Sequence, residues 1–213
     1  MKIKYLAHAC FRITSDSGVT IITDPYTPND MLKYGAINES ADIVLVTHEH
    51  GDHNNVAGVL GKPTVVKSSA TVKGLELKGI PLFHDEEDGK QRGKDTVFCF
   101  TLDGVRLCHL GDLGHTLTAA QAAEIGAVDV LFLPVGGYFT IDAAAATRVA
   151  ESLKPRVVIP MHFKTEKCGY PIAPVEDFLK GKKDVARLNT SEAEVKKDKL
   201  PAATQVWVLP MSR

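Results

Sequence analysis

The sequence predicts an α/β fold in which helices pack over sheets. Three observations carry that reading. The first half of the chain is a succession of short apolar segments separated by turns. The second half alternates apolar segments with helix-like ones, and no low-complexity linker or internal repeat divides the two halves. With 213 residues the chain can bury a real core, and one domain over residues 1–213 is expected.

Residues 3–6, 10–14 and 19–23 read as successive strands, with a turn at Ser15-Asp16-Ser17-Gly18. Residues 43–47 form a continuous apolar run, as a buried strand requires. A short helix is expected over 54–60, ended by Gly61, and a strand over 64–67. Further strands fit 72–83, a polar loop fits 85–95, and residues 96–102 and 105–110 pair as a hairpin around Asp103-Gly104. Thr118 is a fitting N-cap for a helix over 118–125. Residues 130–133 and 157–160 read as strands. Between them, DAAAATRVAESL at 142–153 is alanine-rich and followed by Pro155, as a helix should be. A helix begins at 175–179, and 205–209 reads as a closing strand.

Composition bounds the function. Hydrophobic residues make up 44% and charged residues 24%, the range of ordinary globular proteins. A net charge of −1 gives no field to attract nucleic acid or an anionic membrane. No run of about 18 apolar residues is present, so no membrane helix is expected. The first 18 residues alternate, which suits strands better than a secretion signal. Cys10, Cys99, Cys108 and Cys168 are widely spaced with no C-x-x-C pair, which reads as reduced thiols in a cytoplasmic protein.

The chemistry concentrates in VTHEHGDH, residues 46–53. In an extended segment residues i and i+2 point the same way, so His48 and His50 can face one point. Gly51 permits a turn that lets Asp52 and His53 face a second. Four ligand-competent groups in six residues would be costly to bury as an inert core, because desolvation and mutual repulsion add. A metal ion relieves that cost by accepting imidazoles and carboxylates together.

H-x-H-x-D-H after an apolar strand resembles the metal motif of the metallo-β-lactamase superfamily. Asp24 in IITDP, His84 in PLFHDEEDG, Asp112 in HLGDLG and His162 in VVIPMHF match the same pattern in order, over residues 1 to about 170. LAHACF, HLGD, PVGGYFT and PMHF are together similar to the branch containing ascorbate-6-phosphate lactonase and related hydrolases. The resemblance implies a four-layer αββα sandwich and two divalent metal ions, zinc first, with manganese or iron tolerated. One site would use His48, His50 and His84, the other Asp52, His53 and His162, and Asp112 would bridge them. The implied activity is hydrolysis of a small ester, lactone or phosphoester by a metal-bound hydroxide.

The other histidines divide by position. His84 ends an apolar run, where ligands usually project, whereas strand alternation separates His109 from Asp112 and suits a supporting, hydrogen-bonded role. His8 fits either a place near the site or a satisfied core position. Asp52 and His115 are the candidate catalytic residues; His115 could act as general acid or substrate contact, or be an ordinary loop histidine. Asp24 is expected to tie down the 48–53 loop by accepting N–H bonds. In PVGGYFT the glycines allow close approach to a ligand or simply make a turn, and Tyr138 and Lys164 could steady an oxyanion or be loop residues. Residues 25–40 resemble a lid, with Tyr26 and Tyr34 at its mouth. The basic clusters KGKKD and EVKKDK are interleaved with acids and read as solvated surface. A small-molecule substrate is expected, with neither nucleic acid nor membrane as partner. A phosphodiesterase or nuclease on the same centre, and a sensor that binds metal without turnover, are the alternative functions.

Overall fold

A computed structural model describes all 213 residues. The elements run β1 (Lys2–Ala7), β2 (Cys10–Thr14), β3 (Thr20–Thr23), β4 (Ile43–Leu45), β5 (Thr64–Val66), β6 (Ala70–Val72), β7 (Leu75–Phe83), β8 (Lys94–Leu102) and β9 (Val105–His109). They continue with α1 (Ala119–Ile125), β10 (Val130–Pro134), α2 (Ala143–Leu153), β11 (Val157–Met161), α3 (Val175–Leu179), β12 (Val185–Arg187), β13 (Glu192–Glu194) and β14 (Gln205–Val208). Two mixed sheets result. The first has the order β13-β1-β2-β3-β4-β5 and the second β12-β14-β11-β10-β9-β8-β7-β6. The arrangement is the expected α/β sandwich.

The sheets face each other across a core of 46 buried residues, with Ile3, Tyr5, Ile21 and Leu45 on one side and Phe98, Phe132 and Ile159 on the other. Phe11 and Phe132 meet across the gap with ring centroids 4.6 Å apart. β9, β10 and β11 run parallel, and β10 and β11 are buried along their lengths, which explains their unbroken apolar sequences. Alanines let α2 lie close on this sheet, burying Ala145, Ala146, Val149 and Leu153. Asp142 caps the helix by accepting the Ala145 N–H (2.8 Å). In α1 the expected Thr118 cap is present, with Gln121 completing a capping box.

Three expectations need correction. The strand over 43–47 stops at Leu45, and the motif beyond it is a bent loop. The helix over 54–60 is a single 3-10 turn, Val56–Gly58. Asn55 explains this, because its backbone N–H is taken by the Pro25 carbonyl (2.7 Å) and its side chain by the Tyr26 carbonyl (2.9 Å). Residue 94 onward is strand rather than loop, since β8 pairs with β7 from Lys94. The edge strands β12 and β13 are new elements, each only three residues long (VAR and EAE) and too short to give a period.

The outer face of the first sheet is covered by loops. Ile22, Val44 and Val46 pack there against Tyr26, Leu32, Tyr34 and Ile37, forming a second core of 14 residues with Cys168 and Ile172. Tyr26 and Tyr34 are therefore core residues and do not line a mouth. The 25–40 segment is anchored by a Leu32–Cys168 bridge and by Lys33 N–H to the Lys167 carbonyl (2.9 Å).

Asp129 braces the far end of β10. It is 2% exposed. Its carboxylate accepts the Arg106 backbone N–H (2.8 Å), Arg106 Nε (2.9 Å) and Nη2 (2.7 Å), and Lys197 Nζ (2.6 Å). Burial pushes its pKa up, but the Arg106 and Lys197 donors outweigh that and hold it below the usual carboxylate range. A depressed folded pKa gives stability that is present above the unfolded value of about 3.9 and is lost as pH falls below it. Asp129→Ala should therefore cost about 2–3 kcal/mol at pH 6, as expected for lost charged hydrogen bonds. In urea unfolding, the gap to wild type should shrink at pH 3. A constant gap would contradict this account.

Candidate metal centre

The site lies where strand ends from both sheets converge. His8 follows β1, Asp24 follows β3, and the 48–53 loop follows β4. From the second sheet, His84 follows β7, Asp112 lies just beyond β9 and His162 follows β11. Several of these strands are parallel neighbours, and ligands in such sheets collect at the carboxyl ends.

Three groups of donors are close enough to hold an ion: His48 with His50 and His84; His8 with Asp52, His53 and His162; and His48 with His53 and Asp112. Within each, the ligand atoms lie within 4.8 Å of one another. Asp112 sits between the first two. Its Oδ2 is 3.2 Å from His84 Nε2 and 3.3 Å from His162 Nε2, and its Oδ1 is 3.2 Å from His53 Nε2. All seven sequence-predicted ligands (His48, His50, Asp52, His53, His84, Asp112 and His162) are thus brought together. His50 is the exposed member, whereas His53 and His162 are fully buried.

The donor set fits a cation. His48 Nε2, His53 Nε2, His162 Nε2 and Asp112 Oδ1 are buried without any hydrogen-bond partner. Buried polar atoms without partners are costly, and a metal ion satisfies such atoms together. The tautomer of His48 agrees. Thr47 donates its hydroxyl to Asp24 Oδ2 (3.0 Å), so it accepts from His48 Nδ1–H (3.0 Å), leaving a lone pair on Nε2.

Asp24 organises this arrangement from below. Fully buried, it accepts the Thr47 N–H (2.8 Å), the Thr47 hydroxyl and His109 Nε2–H (2.8 Å), and its Oδ2 lies 3.1 Å from His53 Nδ1. Burial pushes its pKa up, but His53 and His109 more than offset this and hold it below the carboxylate range. Asp112 is likewise held well below that range, because His162 and His53 outweigh burial. The same pairing works in reverse on His53. Burial disfavours its charge, yet Asp112 and Asp24 push its pKa well above the usual histidine value. For His8, burial and the neighbouring His162 win, pushing its pKa down to about 4. His8, Asp24 and His162 all have left-handed backbones, with φ of 57°, 37° and 51°. Such conformations cost energy in residues other than glycine and collect at functional sites.

Asp95 escaped the sequence reading. It is fully buried, accepts the Asp112 N–H (3.0 Å) and lies 3.4 Å from His48 Nδ1. Its only signal was a carboxylate directly before an apolar strand. Asp85 organises the loop above the site by accepting four backbone N–H groups, from Glu87, Gly89, Gln91 and Arg92. Two clefts flank the centre. One of about 530 Å³ is lined by His84, Arg92, Phe139 and Arg148; one of about 440 Å³ is lined by His48, His50, Lys67 and Arg92. A larger cavity of about 700 Å³ lies by α2 and α3 and includes none of the clustered residues.

Other expected contributors stand apart. His115 is half-buried, donates Nδ1–H to the Thr116 carbonyl (2.9 Å) and belongs to none of the three groups. Lys164 donates to the Tyr170 carbonyl (2.7 Å), and Tyr138 is 65% exposed. Gly51 has an ordinary φ with open space around it, so the turn does not demand glycine. Gly136 does matter, for a different reason than close approach to a ligand. A Cβ there would lie 2.2 Å from the His162 carbonyl. Glu49 pairs with Lys67 (2.8 Å) on the surface.

Residues 2–162 match the model of the Beta-lactamase superfamily domain. The chain belongs to the metallo-β-lactamase superfamily. Within the superfamily it is 33% identical over 194 residues to a UPF0173 metal-dependent hydrolase of Pyrococcus furiosus, covering 78% of this chain and 85% of that one. A counterpart from Archaeoglobus fulgidus is 31% identical over 218 residues, covering 86% and 91%. Among solved structures, a candidate zinc-dependent hydrolase of this superfamily from Thermotoga maritima superposes with a TM-score of 0.80 at 38% identity, covering 98% of this chain and 97% of that one. The protein is a metal-dependent hydrolase of the superfamily, with a His/Asp cluster that could bind the metal. No helix is long and apolar enough to cross a membrane.

Proposed function

We propose that this single-domain chain is a dinuclear hydrolase acting on a small ester, lactone or phosphoester. One ion would be held by His48, His50 and His84 and the other by Asp52, His53 and His162, with zinc the first candidate for both. The observation that carries this reading is Asp112, whose two carboxylate oxygens face histidines of both groups. Bound ions would supply a water nucleophile active at neutral pH and polarise the bond under attack, the scale for one zinc being a fall in water pKa from about 15.7 to about 7. The chain's own part is to hold the donors. Asp24 and Thr47 fix His48, Asp95 fixes the Asp112 backbone, and Arg92 lines both flanking clefts, whose sizes suit a small molecule. His115 is held to the Thr116 carbonyl and belongs to none of the donor groups, so its role as general acid ranks below the ligand assignments.

Purified protein reconstituted with zinc, manganese or iron should bind close to two ions per chain. It should hydrolyse at least one class in a panel of lactones, simple esters and bis-nitrophenyl phosphate, with His48→Ala as the blank. One ion or none per chain would sink the dinuclear reading. Turnover confined to bis-nitrophenyl phosphate would move the assignment to a phosphodiesterase.

A further inference from the structure

His8 is unlike a core histidine. It is fully buried in the turn between β1 and β2, yet its Nδ1 has no hydrogen-bond partner. Its Nε2 lies 3.3 Å from Asp52 Oδ2, and its ring is centred 4.0 Å from that of His162 and 5.5 Å from that of His53. The backbone holds it there. The His8 carbonyl accepts both the Tyr5 hydroxyl (3.0 Å) and the His162 N–H (3.0 Å), joining two turns that each have left-handed φ. A strained residue pinned by its own carbonyl, with its ring among three ligand-competent side chains, is placed for a donor role.

We propose that His8 supplies, through Nε2, a fourth protein donor to the cation pocket of Asp52, His53 and His162. This rests on the reading that the clusters bind metal. It makes the two pockets unequal, since His48, His50 and His84 offer three donors and the other pocket offers four, before the shared Asp112 is counted. Zinc prefers four ligands, whereas manganese and iron accept a six-coordinate mixed nitrogen and oxygen set. The pocket containing His8 could therefore take manganese or iron as well as zinc. The competing role for His8 is to donate Nε2–H to Asp52 and only orient it.

Metal-free wild type, His8→Ala and His8→Gln are titrated with Mn²⁺ and with Co²⁺ by calorimetry, and the cobalt absorption spectrum is recorded. Circular dichroism of the metal-free chains checks folding. Glutamine can still donate to Asp52 but is a poor metal ligand, which separates the two roles and fills the buried space if alanine does not fold. Both variants should lose one binding step by more than about 100-fold, beyond the 10–100-fold that an orienting partner costs. Added imidazole should restore that step in His8→Ala, and the cobalt bands should intensify as coordination falls. Wild-type affinity in His8→Gln, or two unchanged steps in both variants, overturns the proposal while leaving the dinuclear reading intact. A wild-type chain that takes up no ion overturns both.

Discussion

Asp112→Ala should lower kcat/KM by at least about 1,000-fold, a loss of about 4 kcal/mol of transition-state stabilisation. It should also bring the metal content down to one ion per chain or fewer. The expectation follows from position. No other carboxylate lies within 3.3 Å of the Nε2 atoms of His53, His84 and His162 at once. Removing it leaves those imidazoles without the charge that would draw the two proposed cations together. Asp112→Asn tests the charge separately from the shape. The side chain keeps its volume beside the Asp95-anchored backbone but becomes neutral, and most of the loss should persist. Activity within tenfold of wild type, with unchanged metal content, would refute the bridging role.

The second large effect is expected at Asp24, which is fully buried beneath the cluster. Asp24→Ala removes the acceptor of two Thr47 bonds and one His109 bond and leaves His53 Nδ1 facing a void. Orphaning buried polar groups in this way should cost about 3 kcal/mol. For a chain of this size that lowers Tm by about 6–12 °C. Metal affinity should fall by about 10–100-fold as His48 and His53 lose their orientation. Calorimetric unfolding with and without added metal separates the two effects. An Asp24→Ala chain of lower Tm but wild-type metal affinity would make Asp24 a purely structural residue.

Much of this site could be read from residue order alone, because its ligands are chemically unusual where they stand. His48 is conspicuous as the first of four ligand-competent groups after an apolar strand, whereas Asp112 and His162 are marked by the superfamily resemblance of HLGDLG and VVIPMHF. Asp24 was legible for the same reason, and its hydrogen bonds to Thr47 and His109 fit the tethering expected of it. What could not be read depends on contacts across the sandwich. Asp95 merges with the acidic loop before it until β8 is seen to pair from Lys94. His8 is ambiguous until the turn after β1 is known to meet the turn after β11. The loop cover of the first sheet was invisible because Tyr26, Leu32 and Tyr34 follow no helical or strand period. Their burial comes from Cys168 and Ile172, which arrive from the far end of the chain.

The convergence of strand ends has a further consequence. An ion bound here would act as a clip between chain segments remote in sequence, joining residue 84 to residue 48 and residue 162 to residue 53. Closing such long loops restricts the unfolded chain in the way a disulfide does, and a native-state ligand adds stability by mass action. All four cysteines stand as free thiols. Metal supply would then govern how long the protein survives proteolysis as well as how fast it turns over.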